Sequence, residues 1–168
     1  MGLPIKSTWR HWSLGAAIVL SAQALEGEDA GMTKSQLIAA LTAGVQARLN
    51  VTVPRRVMEY TISRLQTSLV LPGPPLRRVT PAPSDGPAVL GARILLAIQL
   101  DGVQWPNQAP TFYGLDLAQI QARVNRDQSG VWRACTALHR DRILIRRTHG
   151  SADTHSPKSI FGLHRSPP

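Results

Sequence analysis

The sequence predicts an α+β protein, mainly helical with a small β-hairpin near its end, and three observations carry that prediction. Apolar residues recur at helical spacing in five stretches between Leu37 and Leu138. Six prolines, Pro72, Pro74, Pro75, Pro81, Pro83 and Pro87, crowd into sixteen residues and break the chain into two parts. After Arg142 the pattern changes to two short strand-like runs around a polar tip. With 168 residues, 43% hydrophobic and 17% charged, the chain can bury a core, and wholesale disorder is excluded.

Residues 1–31 admit two readings. Lys6, Arg10 and His11 precede the apolar stretch Leu14–Leu20 and the small residues Ser21-Ala22-Gln23-Ala24, an order that matches a secretory signal peptide. The stretch is short, however, and contains Gly15. The reading adopted is that translation starts at Met32, with residues 1–31 a flexible arm or a spurious extension. From there Thr33-Lys34-Ser35-Gln36 has capping-box spacing and opens a helix through Leu37, Ile38, Leu41, Val45 and Leu49, with Asn50 as its stop. Pro54 suits the first turn of a second helix, whose apolar face is Val57, Met58, Ile62, Leu65 and Leu69. Two such helices cannot bury their faces alone, so residues 32–71 form a hairpin expected to pair with a second copy of the chain. Residues 72–83 are then a stiff extended linker.

The part after the linker, residues 84–165, is read as one module. Ser84, Asp85 and Pro87 start a helix carrying Leu90, Ile94, Leu95 and Ile98, which Asp101-Gly102 stops. Trp105, Phe112 and Tyr113, with Pro106 and Pro110, belong to a loop or short strand. Asp116 caps a short helix from Leu117 to Val124, Asn125 makes a left-handed turn, and Asp127 caps a further helix, about 128–140. In that helix Val131, Ala134, Cys135 and Leu138 face inward, while Gln128, Ser129, Trp132, Arg133, Thr136 and Arg140 face outward. The outward set has the donors that read base edges: Arg grips guanine and Gln adenine in two-pronged fashion, and Ser or Thr reaches bases or phosphates. Ile143 to Arg147 and Ser159 to Leu163 form a hairpin around the tip Thr148–Pro157, and a hairpin directly after two such helices has the placing of a wing. Arg146, Arg147 and Lys158 would approach phosphates there, although adjacent strand residues face opposite ways, so one of the two arginines is expected to do so.

The run from Asp116 to Arg147 resembles the winged helix-turn-helix core of bacterial regulators of the MarR, IclR and ArsR kinds. Asp116 and Asp127 match the two caps, Ala118, Ile120, Val124 and Val131 the core positions, Asn125 the turn glycine, and Arg133 the arginine of the recognition helix. Trp132 departs from the usual small polar residue, and Arg142 from the usual glycine before the strand. The resemblance implies sequence-specific binding of double-stranded DNA and a role in transcription. Met32, Thr33, Lys34, Leu37 and Ile38 are also similar to the opening of the HU and integration-host-factor proteins, which implies a dimerising helical hairpin over residues 32–70 and carries over no DNA contact.

Nineteen Lys and Arg stand against ten Asp and Glu, a formal net charge of +9, which favours a polyanionic partner. The charge gathers in residues 32–80 and 112–168, net +6 and +5, around a near-neutral centre. Double-stranded DNA and a second copy of the chain are the partners expected, in the cytoplasm at the nucleoid, with no membrane and no cofactor. Cys135, the one cysteine, excludes a disulfide framework, and facing the core it is expected to be a small apolar filler. His149, His155 and His164 are irregularly spaced, with Asp153 the one carboxylate nearby, so no metal site is expected. No phosphate-binding glycine loop, His-Glu-x-x-His or Gly-x-Ser-x-Gly occurs, and enzyme activity is not expected. Trp132 either touches DNA or folds back onto the loop aromatics. Two other functions stay open: HU-like packaging of DNA without sequence preference, and a winged helix that binds another protein.

Overall fold

The structure, a computed structural model, describes residues 11–28, 31–79, 86–105, 113–149 and 158–163. Among these lie six helices and a four-stranded antiparallel sheet, so the chain is mainly α with a small β component. It divides into two compact units, Met1–Ala92 and Arg93–Pro168, and the division falls inside α4 (Pro87–Asp101).

The first unit contains α1 (His11–Ala24), α2 (Lys34–Leu49), α3 (Arg55–Thr67) and the opening turns of α4. Helix α2 begins where the capping box places it: the Gln36 amide donates to Thr33 Oγ1 at 3.1 Å and the Thr33 amide to Gln36 Oε1 at 2.8 Å. It ends at Asn50 in the left-handed conformation (φ 55°). Pro54 sits one residue earlier than expected, as the N-cap of α3. Ile38, Leu41 and Val45 of α2 and Met58, Ile62 and Leu65 of α3 are buried.

Two expectations for this half are corrected. His11–Ala24 is no flexible arm: it is a helix with every residue from Ser13 to Val19 buried, packed on α2 and α3. Fourteen residues are too few to span a bilayer, and in the structure this apolar run is a helix buried against its neighbours, although as a sequence it resembles a signal-peptide core. Thus α1 supplies the cover that α2 and α3 need, and their faces no longer require a second copy of the chain. The proline-rich stretch is not simply an extended linker. Its start folds back on α3: Gln66 accepts from the Leu76 amide through Oε1 at 3.1 Å, and Ser63 Oγ accepts from the Arg77 amide at 3.1 Å. Buried polar side chains near the end of α3 thus satisfy backbone donors that no ladder could reach. Lys6, Arg10, Pro81, Pro83, Ser84 and Asp85 lie outside the described residues.

The second unit holds the remainder of α4, then β1 (Val103–Gln104), β2 (Tyr113–Asp116), α5 (Leu117–Val124), α6 (Gln128–Arg140), β3 (Leu144–His149) and β4 (Lys158–Leu163). The strand order is β1-β2-β4-β3, all antiparallel. The last strand therefore inserts between β2 and β3, and the short β1 extends the sheet at one edge. Trp105 ties the β1–β2 connection by donating its indole N–H to the Gly114 carbonyl at 3.0 Å. Leu115 and Phe161 are cross-strand partners, Leu144 pairs with Leu163 on the same sheet face, and Leu115, Phe161 and Leu144 are fully or almost fully buried, as are Ile120 of α5 and Val131, Ala134 and Leu138 of α6. Pro106, Pro110 and Phe112 lie outside the described residues, as does most of the hairpin tip, 150–157.

Candidate nucleic-acid interface

Helix α6 owes its position to local signals at both ends. Asp127 is its N-cap, with a carboxylate that accepts from the Gly130 amide. At the other end the Ile143 amide donates to the Leu138 carbonyl at 2.9 Å and the Arg142 amide to the His139 carbonyl at 3.0 Å. This pair of bonds needs a left-handed residue just past the helix, and Arg142 supplies it at φ 63°. Glycine is the usual residue at such a position, so Arg142 changes the residue and leaves the turn as it is. Helix α5 enters by its own capping box, with the Gln119 amide donating to Asp116 Oδ1 at 2.8 Å and the Asp116 amide to Gln119 Oε1 at 2.9 Å. Asn125 at φ 53° turns the chain toward α6.

The two faces of α6 separate as the periodicity requires. Gly130, Val131, Ala134, Cys135, Ala137 and Leu138 are buried, and Gln128, Ser129, Arg133, Thr136 and Arg140 are exposed. At 3.6 residues per turn the exposed set occupies a sector of about 140°. Arg133 has no ion pair among the described residues. Arg140 stands 3.7 Å from the buried carboxylate of its neighbour Asp141. Burial pushes the Cys135 thiol up to about 12, which suits a filler and not a reactive thiolate.

Trp132, expected either to touch DNA or to fold back onto the loop aromatics, makes its contacts among the described residues with the sheet. Its ring stands edge-on to Phe161 of β4, centroids 6.1 Å apart, and it remains 36% exposed. The Arg146 guanidinium lies 4.9 Å from the Trp132 ring centroid and donates from Nε and Nη2 to Ser159 Oγ at 3.1 and 3.0 Å. Arg146 and Phe161 are direct partners across β3 and β4, and Trp132 from α6 meets both of them. Two of the five guanidinium N–H groups go to Ser159, and the group is exposed, so donors remain for an anion. Arg147 is opposite Ile160 on the other sheet face and is half-buried, so the structure parts the two arginines.

Lys158 at the start of β4 is 3.7 Å from Asp116 Oδ2. Gln128, Ser129, Trp132, Lys158 and Ser159 line one groove of about 650 Å³ together with Asp116, Leu117 and Ala118. The first turns of α5 and α6 both open into it, and their leading amides have no partner inside the helices. Of the expected site residues, Gln128, Ser129, Trp132 and Lys158 line this groove, Arg146 lies over the Trp132 ring, and Arg133 and Thr136 lie on the exposed face of α6. Arg140 is drawn toward Asp141, and Arg147 lies across the sheet. Sequence reasoning missed Ser159 and Phe161, which hold Arg146 and Trp132. Strand alternation from Arg146 could have pointed to them only once the hairpin register was known. The side chain of His149 and all of Asp153, His155 and His164 lie outside the described residues.

No protein-family model, curated protein or solved structure matches the chain.

Proposed function

We propose that the second unit is a winged helix-turn-helix that binds double-stranded DNA sequence-specifically, with α6 in the major groove and the β3–β4 hairpin against the backbone. The observation that carries this reading is the exposed face of α6. It sets Gln128, Ser129, Arg133 and Thr136 in the open, with Lys158 in the groove shared by Gln128 and Ser129 and Arg146 over Trp132 of the same helix, which is capped at both ends. The order helix, strand, helix, turn, helix, hairpin, with the last strand between β2 and β3, also fits that architecture. Base choice rests on Gln128, Ser129, Arg133 and Thr136. Arg146, held over Trp132, and Lys158, beside the leading amides of α5 and α6, grip phosphates. Trp132 acts as a positioning residue, because its ring is engaged by Phe161 and Arg146.

The test is selection of the full chain against a random pool of duplex DNA at low and moderate salt. Full length matters because α1 is part of the first unit's core. An enriched motif that Arg133→Ala abolishes is the expected result, and a motif recurring as an inverted repeat would indicate a dimer. Binding with no enrichment would replace this reading with packaging of DNA irrespective of sequence. Failure to bind at either salt would leave a protein-binding module.

A further inference from the structure

The first unit contains a cavity of about 640 Å³ whose lining is chemically one-sided. Helix α3 contributes Arg56, Val57, Tyr60, Thr61 and Arg64, a stripe repeating every four residues along one side. The opening of α4 closes it with Pro87, Ala88 and Val89, and His11 and Arg77 complete it. Arg77 is brought there by the segment that folds back on α3 through the Ser63 and Gln66 hydrogen bonds. Val57, Pro87, Ala88 and Val89 are its apolar lining, and Arg56, Arg64, Arg77 and Tyr60 line it beside them.

No carboxylate lines the cavity among the described residues, and none of Arg56, Arg64 and Arg77 forms an ion pair there. Glu59, the one acid between residues 32 and 80, is engaged elsewhere, 3.1 Å from Lys34 Nζ. A concave site edged by one sign of charge concentrates field and attracts the opposite charge. Its size falls within the roughly 300–1,000 Å³ of small-molecule sites.

We infer that this cavity binds a small organic acid, with its carboxylate held by Arg56, Arg64 and Arg77 and an apolar, ring-sized body against Val57, Pro87 and Val89. Planar guanidinium forks match a carboxylate in two-pronged geometry. The apolar lining favours such a molecule over inorganic phosphate, which would leave that lining unused, and the concavity favours it over a nucleic-acid backbone. The inference concerns the first unit alone and stands whether or not the second unit binds DNA.

Titration calorimetry of the full chain with 2-naphthoate, its uncharged amide 2-naphthamide, and inorganic phosphate tests it. The acid should bind at least about tenfold more tightly than the amide, since charge-assisted hydrogen bonds are lost in the amide. Arg64→Gln and Arg77→Gln should each weaken the acid about tenfold and leave the amide unchanged. Arg77→Gln keeps the backbone amide that tethers its segment, so a folding defect in the Arg64 variant would not decide the matter. Arg48→Gln, outside the lining, should bind as the parent does. Equal binding of acid and amide, phosphate binding as tightly as the acid, or no heat with the acid at millimolar concentration would each overturn the inference.

Discussion

Arg142 and Leu69 hold left-handed backbones at φ 63° and 61°, each just past the end of a helix. That conformation costs an L-residue with a Cβ about 1–2 kcal/mol, part of which glycine's greater freedom in the unfolded chain returns. Arg142→Gly should therefore stabilise the protein by about 0.5–1 kcal/mol, read as a higher urea midpoint at unchanged slope. Cys135 leads to a prediction of opposite character. Its thiol is pushed up to about 12 by burial, above the ordinary value of 9.0, so the folded state keeps a proton that the unfolded state loses. Stability should hold below pH 9 and fall as pH rises from 9 toward 12. At pH 8 the thiol should react with a disulfide reagent only as fast as the protein opens, and rapid labelling of the native protein would contradict this burial. If α6 reads DNA as proposed, Arg133, with no ion pair among the described residues, is the side chain on which base choice depends most. Arg133→Ala should lose about 1–3 kcal/mol on the selected site and much less on unrelated duplex, as measured by competition binding.

Between elements, the closest approaches are made where side chains are absent. A Cβ added at Gly15 of α1 would stand 1.9 Å from the Ala88 carbonyl oxygen, and one at Gly91 of α4 would stand 2.0 Å from that of Trp12. Both obstacles are backbone, which cannot rotate aside, so Gly15→Ala or Gly91→Ala must push the helices apart. Each should destabilise the first unit by about 3 kcal/mol, visible as a lower thermal midpoint. The helix caps act more weakly. Asp127→Ala removes the N-cap acceptor of α6 and should cost about 1 kcal/mol, with a matching loss of DNA affinity only if the first turn of α6 frays. Caps and periodicity were legible in the sequence because each involves residues three or four positions apart. The pairing of Gly15 with Ala88 was not, since nothing local distinguishes a glycine that admits a neighbouring backbone from one that merely interrupts a signal-like run.

Across the whole molecule the dominant quantity is charge, net +9 in 168 residues. If phosphates are gripped by cations on the α6 side, affinity must fall with salt, by roughly one unit of log-log slope for each phosphate neutralised. Lys158→Ala should lower that slope by about one and weaken all sequences alike, whereas Arg133→Ala should change sequence preference. A slope unaltered by Lys158→Ala would remove β4 from the interface. The two basic blocks also separate by unit: Arg56, Arg64 and Arg77 gather at the cavity of the first, and Arg133, Arg146 and Lys158 beside α6 of the second. Composition alone assigned both blocks to one polyanion. Among the described residues no helix is long and apolar enough to cross a membrane.

Read from residues alone, the capping box at Thr33, the cap at Asp116, the helix stop at Asn50, the left-handed turn at Asn125, and the inward and outward faces of α6 could all be placed correctly. Each arises from hydrogen bonds or side-chain contacts within about one helical turn, so the information sits within a few positions of where it acts. The burial of α1, the folding of Leu76 and Arg77 back onto α3, the cluster of Trp132 with Phe161 and Arg146, and the arginine-edged cavity emerged only from the folded chain. They depend on contacts between residues that are neighbours in space and distant in sequence, and the energy of such contacts has no local signature.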